Sequence, residues 1–215
     1  MKSFLTITTP ANDLTLLTIE AMREAAGITG GGSDTSLRAM EARCAASIMS
    51  ECGIAVGSGG APTLRRETLT ETFYQACGEQ LILSRRHEIS ITSIVEDSVT
   101  LIDTDFIVDP ESGLLNKLCS DCPSWWSARK VVVVYGAGFT TVPADLEEAA
   151  FDFFRSSWLE KSRDPLVKSE RVKVENVDET ERQFWVGSVP GQSSEGAVPD
   201  VVAGQLKRFR NIGLG

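Results

Sequence analysis

The sequence predicts an α+β fold: a helix-rich bundle with a small antiparallel β-sheet and an extended C-terminal arm. Three observations predict it. Apolar residues recur at helical spacing in two stretches near the N-terminus and again from Pro143 to Asp164. Between Thr63 and Tyr135 the period drops to two, as in half-buried strands. After Pro165 no stretch is apolar enough to build its own core. The chain therefore divides into a body, residues 1–164, and an arm, residues 165–215, that ends in a short helix.

The helices come first. In "TPANDLTLLTIEAMREAAGI", Asn12 or Asp13 can cap a helix through a side-chain oxygen. Leu16, Leu17, Ala21 and Ala25 form its stripe, and Gly27 ends it. Ser33 or Asp34 caps the next helix, "TSLRAMEARCAASIMSECGI", where Leu37, Met40, Cys44, Ile48 and Met49 fall on one face. "VPADLEEAAFDFFRSSWLEKSRD" opens on Pro143, carries Asp145 early and ends on Lys161 and Arg163, matching the helix dipole. The expected core joins Leu16, Leu17, Met40, Ile48, Phe153, Phe154 and Trp158. Glu20, Glu24 and Glu41 are expected on solvated helix faces.

The strands follow. "ETLTETFYQ", "QLILSRR" and "EISITSIVED" alternate, with Ile89, Ile91, Ser93 and Val95 expected on one face. Pro110-Glu111-Ser112-Gly113 supplies a turn, and "KVVVVYGAGF" reads as a buried strand.

Composition narrows the function. Of 215 residues, 42% are hydrophobic and 24% charged, the balance of an ordinary globular chain. The net charge is −9, and residues 1–164 carry all of it, because the arm holds seven basic and seven acidic residues. An acidic body repels phosphate and argues against gripping nucleic acid. No run reaches the roughly 18 apolar residues of a membrane helix, and no signal peptide is expected. The five cysteines are therefore expected as thiols.

"CSDCPSWW", residues 119–126, looks most like chemistry. A thioredoxin-type pair opens a helix after a strand, but here Pro123 and a strand follow. A structural zinc site needs four ligands. Cys119 and Cys122 would need His87, the one histidine, and an isolated cysteine such as Cys77. A turn holding two thiols is the plainer reading. "GITGGGSD" lacks the lysine of a phosphate loop and follows a helix. His87 has no G-x-S-x-G elbow to serve. No catalytic constellation and no cofactor are expected.

The order of elements resembles the head–tail connector (adaptor) proteins of tailed phages and phage-like gene transfer particles. The helical pair ending "AASIMSECGI" is followed by "RRETLTETF", "LILSRRHEISITSIVED" and "DFIVDPESGLLNKL". "SWWSARKVVVVYGAGFTTVPADLEEAAFDFFRSSWLE" and a neutral arm complete the series. "DPESGLL" through "VVVVYGAGFTTVPADL" is the most specific stretch. Cys119 and Cys122 fall where relatives carry a variable loop ending in tryptophan, and His87 stands where relatives often carry proline. The resemblance implies a non-enzymatic virion protein of the neck. It implies a homo-oligomeric ring of about twelve copies beneath the portal protein. The ring would meet the next neck protein, a stopper, on its far side, and DNA would pass through the lumen without specific binding.

The arm carries Phe184 and Trp185, then Pro199 and Asp200 in helix-starting positions, then Val201, Val202, Leu206, Phe209 and Arg210. Val202, Leu206 and Phe209 fall at i, i+4, i+7. So short a helix is marginal alone, so a surface must complete it. The resemblance points to the portal as that surface, with a neighbouring subunit of the ring as second choice, and it predicts that deleting residues 196–215 leaves a folded body that no longer docks on the portal. The alternatives are a small thiol- or zinc-dependent protein using the Cys119/Cys122 pair, or another neck ring, a stopper or tail terminator.

Overall fold

The computed structural model describes residues 2–161, the backbone of 169–172 and 180–183, and residues 198–211. The fold is α+β. Strand β1 (Lys2–Thr9) leads to helices α1 (Ile19–Ala26) and α2 (Asp34–Glu51). Eight short or long strands follow as β2 (Glu67–Gly78), β3 (Gln80–Ile82), β4 (Ser90–Glu96), β5 (Val99–Thr100), β6 (Phe106–Val108), β7 (Leu114–Cys119), β8 (Cys122–Ser124) and β9 (Trp126–Ala137), the last feeding α3 (Ala144–Lys161). Strands β10 (Ser169–Val172) and β11 (Thr180–Gln183) pair antiparallel, and α4 (Asp200–Gln205) runs into a 3₁₀ turn, Leu206–Phe209.

The β portion is larger than the small sheet expected. An antiparallel sheet of order β1-β2-β9-β4-β5 faces a second sheet of order β3-β7-β6, with β8 paired to β7. Leu69, Phe73, Ile94, Val131, Val133 and Tyr135 from the first sheet and Leu81 and Leu115 from the second share one apolar core. Trp126 closes it, its indole N–H donating to the Leu115 carbonyl at 3.3 Å.

A second core belongs to the helices. Leu16, Leu17, Met40, Ile48, Phe153 and Phe154 are buried together in it, and Trp158 packs at its edge, stacked on Phe154.

Local details depart from the periodicity. α1 starts at Ile19, where Thr18 caps it by accepting from the Ala21 N–H. Asp13 instead holds a turn, accepting from the Thr15 N–H at 2.9 Å and the Thr15 hydroxyl at 2.8 Å. In β4 a register shift between Ile91 and Ser93 breaks the face expected for Ile89, Ile91, Ser93 and Val95. Ile94, opposite Val133, therefore points into the core. Glu41 is buried, not solvated, and accepts the Leu16 N–H at 2.7 Å. Desolvation raises its pKa despite that bond.

Candidate functional site

The two cores meet at one seam, built where β9 hands the chain to the helices. Gly138 donates to the His87 carbonyl at 2.9 Å, and Phe139 donates to the Leu64 carbonyl at 2.8 Å. Arg66 N–H returns to the Phe139 carbonyl at 3.0 Å. The His87 ring stacks on Phe139 with centroids 5.0 Å apart, and Phe209 meets both rings edge-on at 5.8–5.9 Å. His87 Nδ1 lies 3.2 Å from a Glu111 carboxylate oxygen. The His87 backbone has φ 69, a conformation that proline's ring forbids.

Residues 198–211 pack against this seam. Val198, Val202, Leu206 and Phe209 are buried in the helical core, with Leu206 and Phe209 at 0% exposure. This corrects the sequence reading. The apolar face at i, i+4, i+7 is real, but the surface completing it is the chain's own body, so these three residues do not lie on a free arm. Polar bonds fasten the end. Asn211 N–H donates to the Cys52 carbonyl at 2.8 Å, and its side-chain amide to the carbonyls of Gly53 and Ser84 at 3.2 and 3.1 Å. Arg86 donates to the Arg210 carbonyl at 2.6 Å, and the Arg210 guanidinium pairs with Glu51. Val201 faces outward at 75% exposure. Phe184 and Trp185 lie outside the described residues.

Beneath the seam sits a buried polar cluster. Glu71 is fully buried between the sheets' layers and accepts from the Ser84 N–H at 2.9 Å, the Ser84 hydroxyl at 2.5 Å and the Tyr135 hydroxyl at 3.0 Å. Nearby, Arg85 and Glu67 are both buried, 3.5 Å apart, and Arg85 donates to the Thr63 carbonyl at 2.6 Å. Burial raises the pKa of Glu67 and Glu71 above the ordinary glutamate value of 4.5, and burial plus the Glu71 charge raises that of Tyr135. A folded-state pKa above the unfolded one contributes stability that is complete below 4.5 and lost as pH rises through the raised value.

A prediction follows from the donor set. Glu71→Gln keeps an acceptor for the Ser84 N–H and Tyr135 while its amide can donate to the Ser84 hydroxyl. Its stability should therefore fall less steeply than wild type as pH rises above 4.5. Glu71→Ala leaves the Ser84 and Tyr135 donors unmatched and should cost roughly 3 kcal/mol. Urea unfolding of both variants across pH checks this. Equal losses for Gln and Ala at neutral pH would show that the charge itself holds the cluster.

The thiol alternative can be placed too. Cys119 and Cys122 pair directly across β7 and β8, on a two-residue turn whose Ser120 and Asp121 both have positive φ, 51 and 61. That is the hairpin turn whose twist matches the strands. Both thiols are exposed, whereas His87 is buried at the seam. Cys77 is exposed on β2, opposite Ser127. Among the described residues no group of three or more His, Cys, Asp or Glu side chains is placed to hold a metal ion. Beside the hairpin, Ile107, Leu118, Pro123 and Trp125 line a groove of about 410 Å³. No helix among the described residues is long and apolar enough to cross a membrane.

No family model matches the sequence, and no curated protein matches it. Among solved structures, the chain is similar to one in "Neck of empty GTA particle computed with C6 symmetry". That likeness has a TM-score of 0.57 at 16% identity and covers 99% of this chain and 97% of the other. From its first strand to its C-terminal clasp, the chain has the fold of a component of that neck.

Proposed function

We propose that this protein is a head–tail connector (adaptor) subunit in the neck of a tailed phage or a phage-like gene transfer particle. It forms a homo-oligomeric ring of about twelve copies beneath the portal, by a head-to-tail contact that closes. The ring joins the capsid to the tail through a stopper and continues the DNA channel. The observation that carries this reading is the likeness in fold to a neck chain over 99% of the length. The connector role is non-enzymatic, and its place is the particle.

Charge supports the channel. Residues 1–164 hold the whole −9 of the chain, so a lumen built from them offers DNA few cations to grip. The portal contact falls to the segment between the body's two anchor points, with Phe184 and Trp185 as its apolar residues and Val201 and Arg210 flanking its return. A stopper or tail terminator is the second reading within the same neck.

The test is co-expression with the portal protein of the same particle, followed by electron microscopy of the purified complex. A ring seated on the portal's tail-side face is expected. Phe184→Asp with Trp185→Asp should leave the ring intact and abolish its docking. A ring that docks only on a tail protein would favour the terminator reading. A chain that stays monomeric and holds about one zinc ion would favour the thiol alternative.

A further inference from the structure

We infer that Cys119 and Cys122 are a disulfide-forming site, which closes the tip of the β7–β8 hairpin when the protein meets a soluble disulfide. Three observations carry this. First, the register places the two residues directly opposite each other, next to the two-residue turn. Opposed side chains in an antiparallel pair share one face of the sheet. In the hydrogen-bonded pair that flanks such a turn, the Cα atoms stand about 5.5 Å apart. That lies inside the window of roughly 4.4–6.8 Å that a disulfide spans, and closing the bond draws the Cβ atoms together by about 1 Å. Second, the reversal is already made, because Ser120 and Asp121 hold the positive φ that brings the strands back on themselves. Third, both thiols are exposed and reachable by a reagent from solution.

The other cysteines do not compete. Cys44 and Cys52 are buried in the helical core. Burial pushes the Cys52 thiol up to about 12 and raises Cys44 as well, so neither offers a thiolate. Cys77 is exposed, but its cross-strand partner is Ser127. The chain therefore holds one exposed pair and one exposed single thiol.

The chemistry balances with a soluble disulfide such as oxidised glutathione. The thiolate of one cysteine attacks a sulfur of that disulfide. A mixed disulfide forms, and one glutathione leaves as thiolate and takes up a proton. The second cysteine, as thiolate, then attacks the protein sulfur of the mixed disulfide. The Cys119–Cys122 bond forms and the second glutathione leaves. The protein loses two electrons and two protons, and the oxidant gains both as two thiols. The closed loop holds only four residues, so the constraint acts on the tip and little on the whole fold. What it fixes is the strand carrying Pro123 and the neighbouring Trp125, which line the 410 Å³ groove.

The experiment equilibrates the full chain, purified reduced, in a series of oxidised and reduced glutathione ratios. Free thiols are then alkylated, and the peptide containing residues 119–122 is weighed. The expected product is an unalkylated peptide lighter by about two mass units than the dithiol. It should exceed the doubly glutathionylated form at every ratio that oxidises the hairpin. Phenylarsine oxide, which bridges paired thiols, should block its formation. Cys119→Ser and Cys122→Ser should each give only a mixed disulfide and lose arsenical binding. The double Ser variant should keep the wild-type unfolding curve, which separates loss of the pair from loss of the fold. Two bound glutathiones per hairpin, a bond from either residue to Cys77, or disulfide-linked dimers on a non-reducing gel would each overturn the inference.

Discussion

Replacing Phe209 with alanine is expected to cost about 3–5 kcal/mol, as for a fully buried aromatic elsewhere. Phe209 is at 0% exposure, packed on Phe139 and His87, and it lies in the same core as Phe154 and Ile48. Leu206→Asp with Phe209→Asp goes further, since two carboxylates would have to be buried without partners. The C-terminal clasp should then leave the body. The helical core would be uncovered along α3 and the α2 end that Arg210 and Asn211 hold. Urea unfolding and binding of a hydrophobic dye check both variants. The same logic reverses the expectation for deletion of residues 196–215. That deletion should now destabilise the body rather than free it of a docking tail. A loss below about 1 kcal/mol for Phe209→Ala would show that the clasp contributes nothing to the fold.

The second large effect is expected at Gly138. Its φ is +90, and a Cβ built there would stand 2.5 Å from the Arg65 carbonyl oxygen and 2.8 Å from that of Leu64. Both obstacles are backbone, and both belong to the seam that Phe139 and Arg66 stitch. Gly138→Ala should therefore cost roughly 3–4 kcal/mol, a strained dihedral plus a displaced backbone. Gly27 gives the comparison. It also has a positive φ, +65, but nothing lies within 4 Å of its would-be Cβ. Gly27→Ala should cost about 1 kcal/mol. Similar losses at the two sites in thermal or urea unfolding would mean that the seam yields without strain.

Much of this fold can be read from the sequence, and the gaps have physical causes. The second and third helices declare themselves because their stripes run through 18 residues each. Pro110–Gly113 and Gly27 mark turns by chemistry that few other residues supply. β1 was not expected as a strand. "KSFLTITT" is an edge strand whose partner, β2, lies some 60 residues away, and most of its side chains are exposed. Glu41 looked solvated because a lone carboxylate on a helix reads so, and only tertiary structure brings the Leu16 N–H to it. The C-terminal stripe shows the limit most clearly. Val202, Leu206 and Phe209 define an apolar face, but periodicity specifies a face and never its partner. The seam was legible only as the run "YGAGF", whose two glycines leave room for Arg66 and for the Arg65 carbonyl.

The clasp also fixes an order of events in folding. Arg210 and Asn211 meet Glu51, Cys52 and Gly53 across nearly 160 residues of chain. The β2–β9 and β4–β9 pairings and the β7–β8 hairpin close over much shorter separations. Loop-closure entropy for the longest contacts must be met before their burial returns anything. During synthesis the apolar faces of α1 and α2 emerge early and wait for α3, and α4 then closes the same core from the α3 side. The sheet half can reach native contacts first, and the helical half stays open longest. In that interval the α3 face that α4 will cover is the part of the molecule most prone to meet another chain instead of its own end.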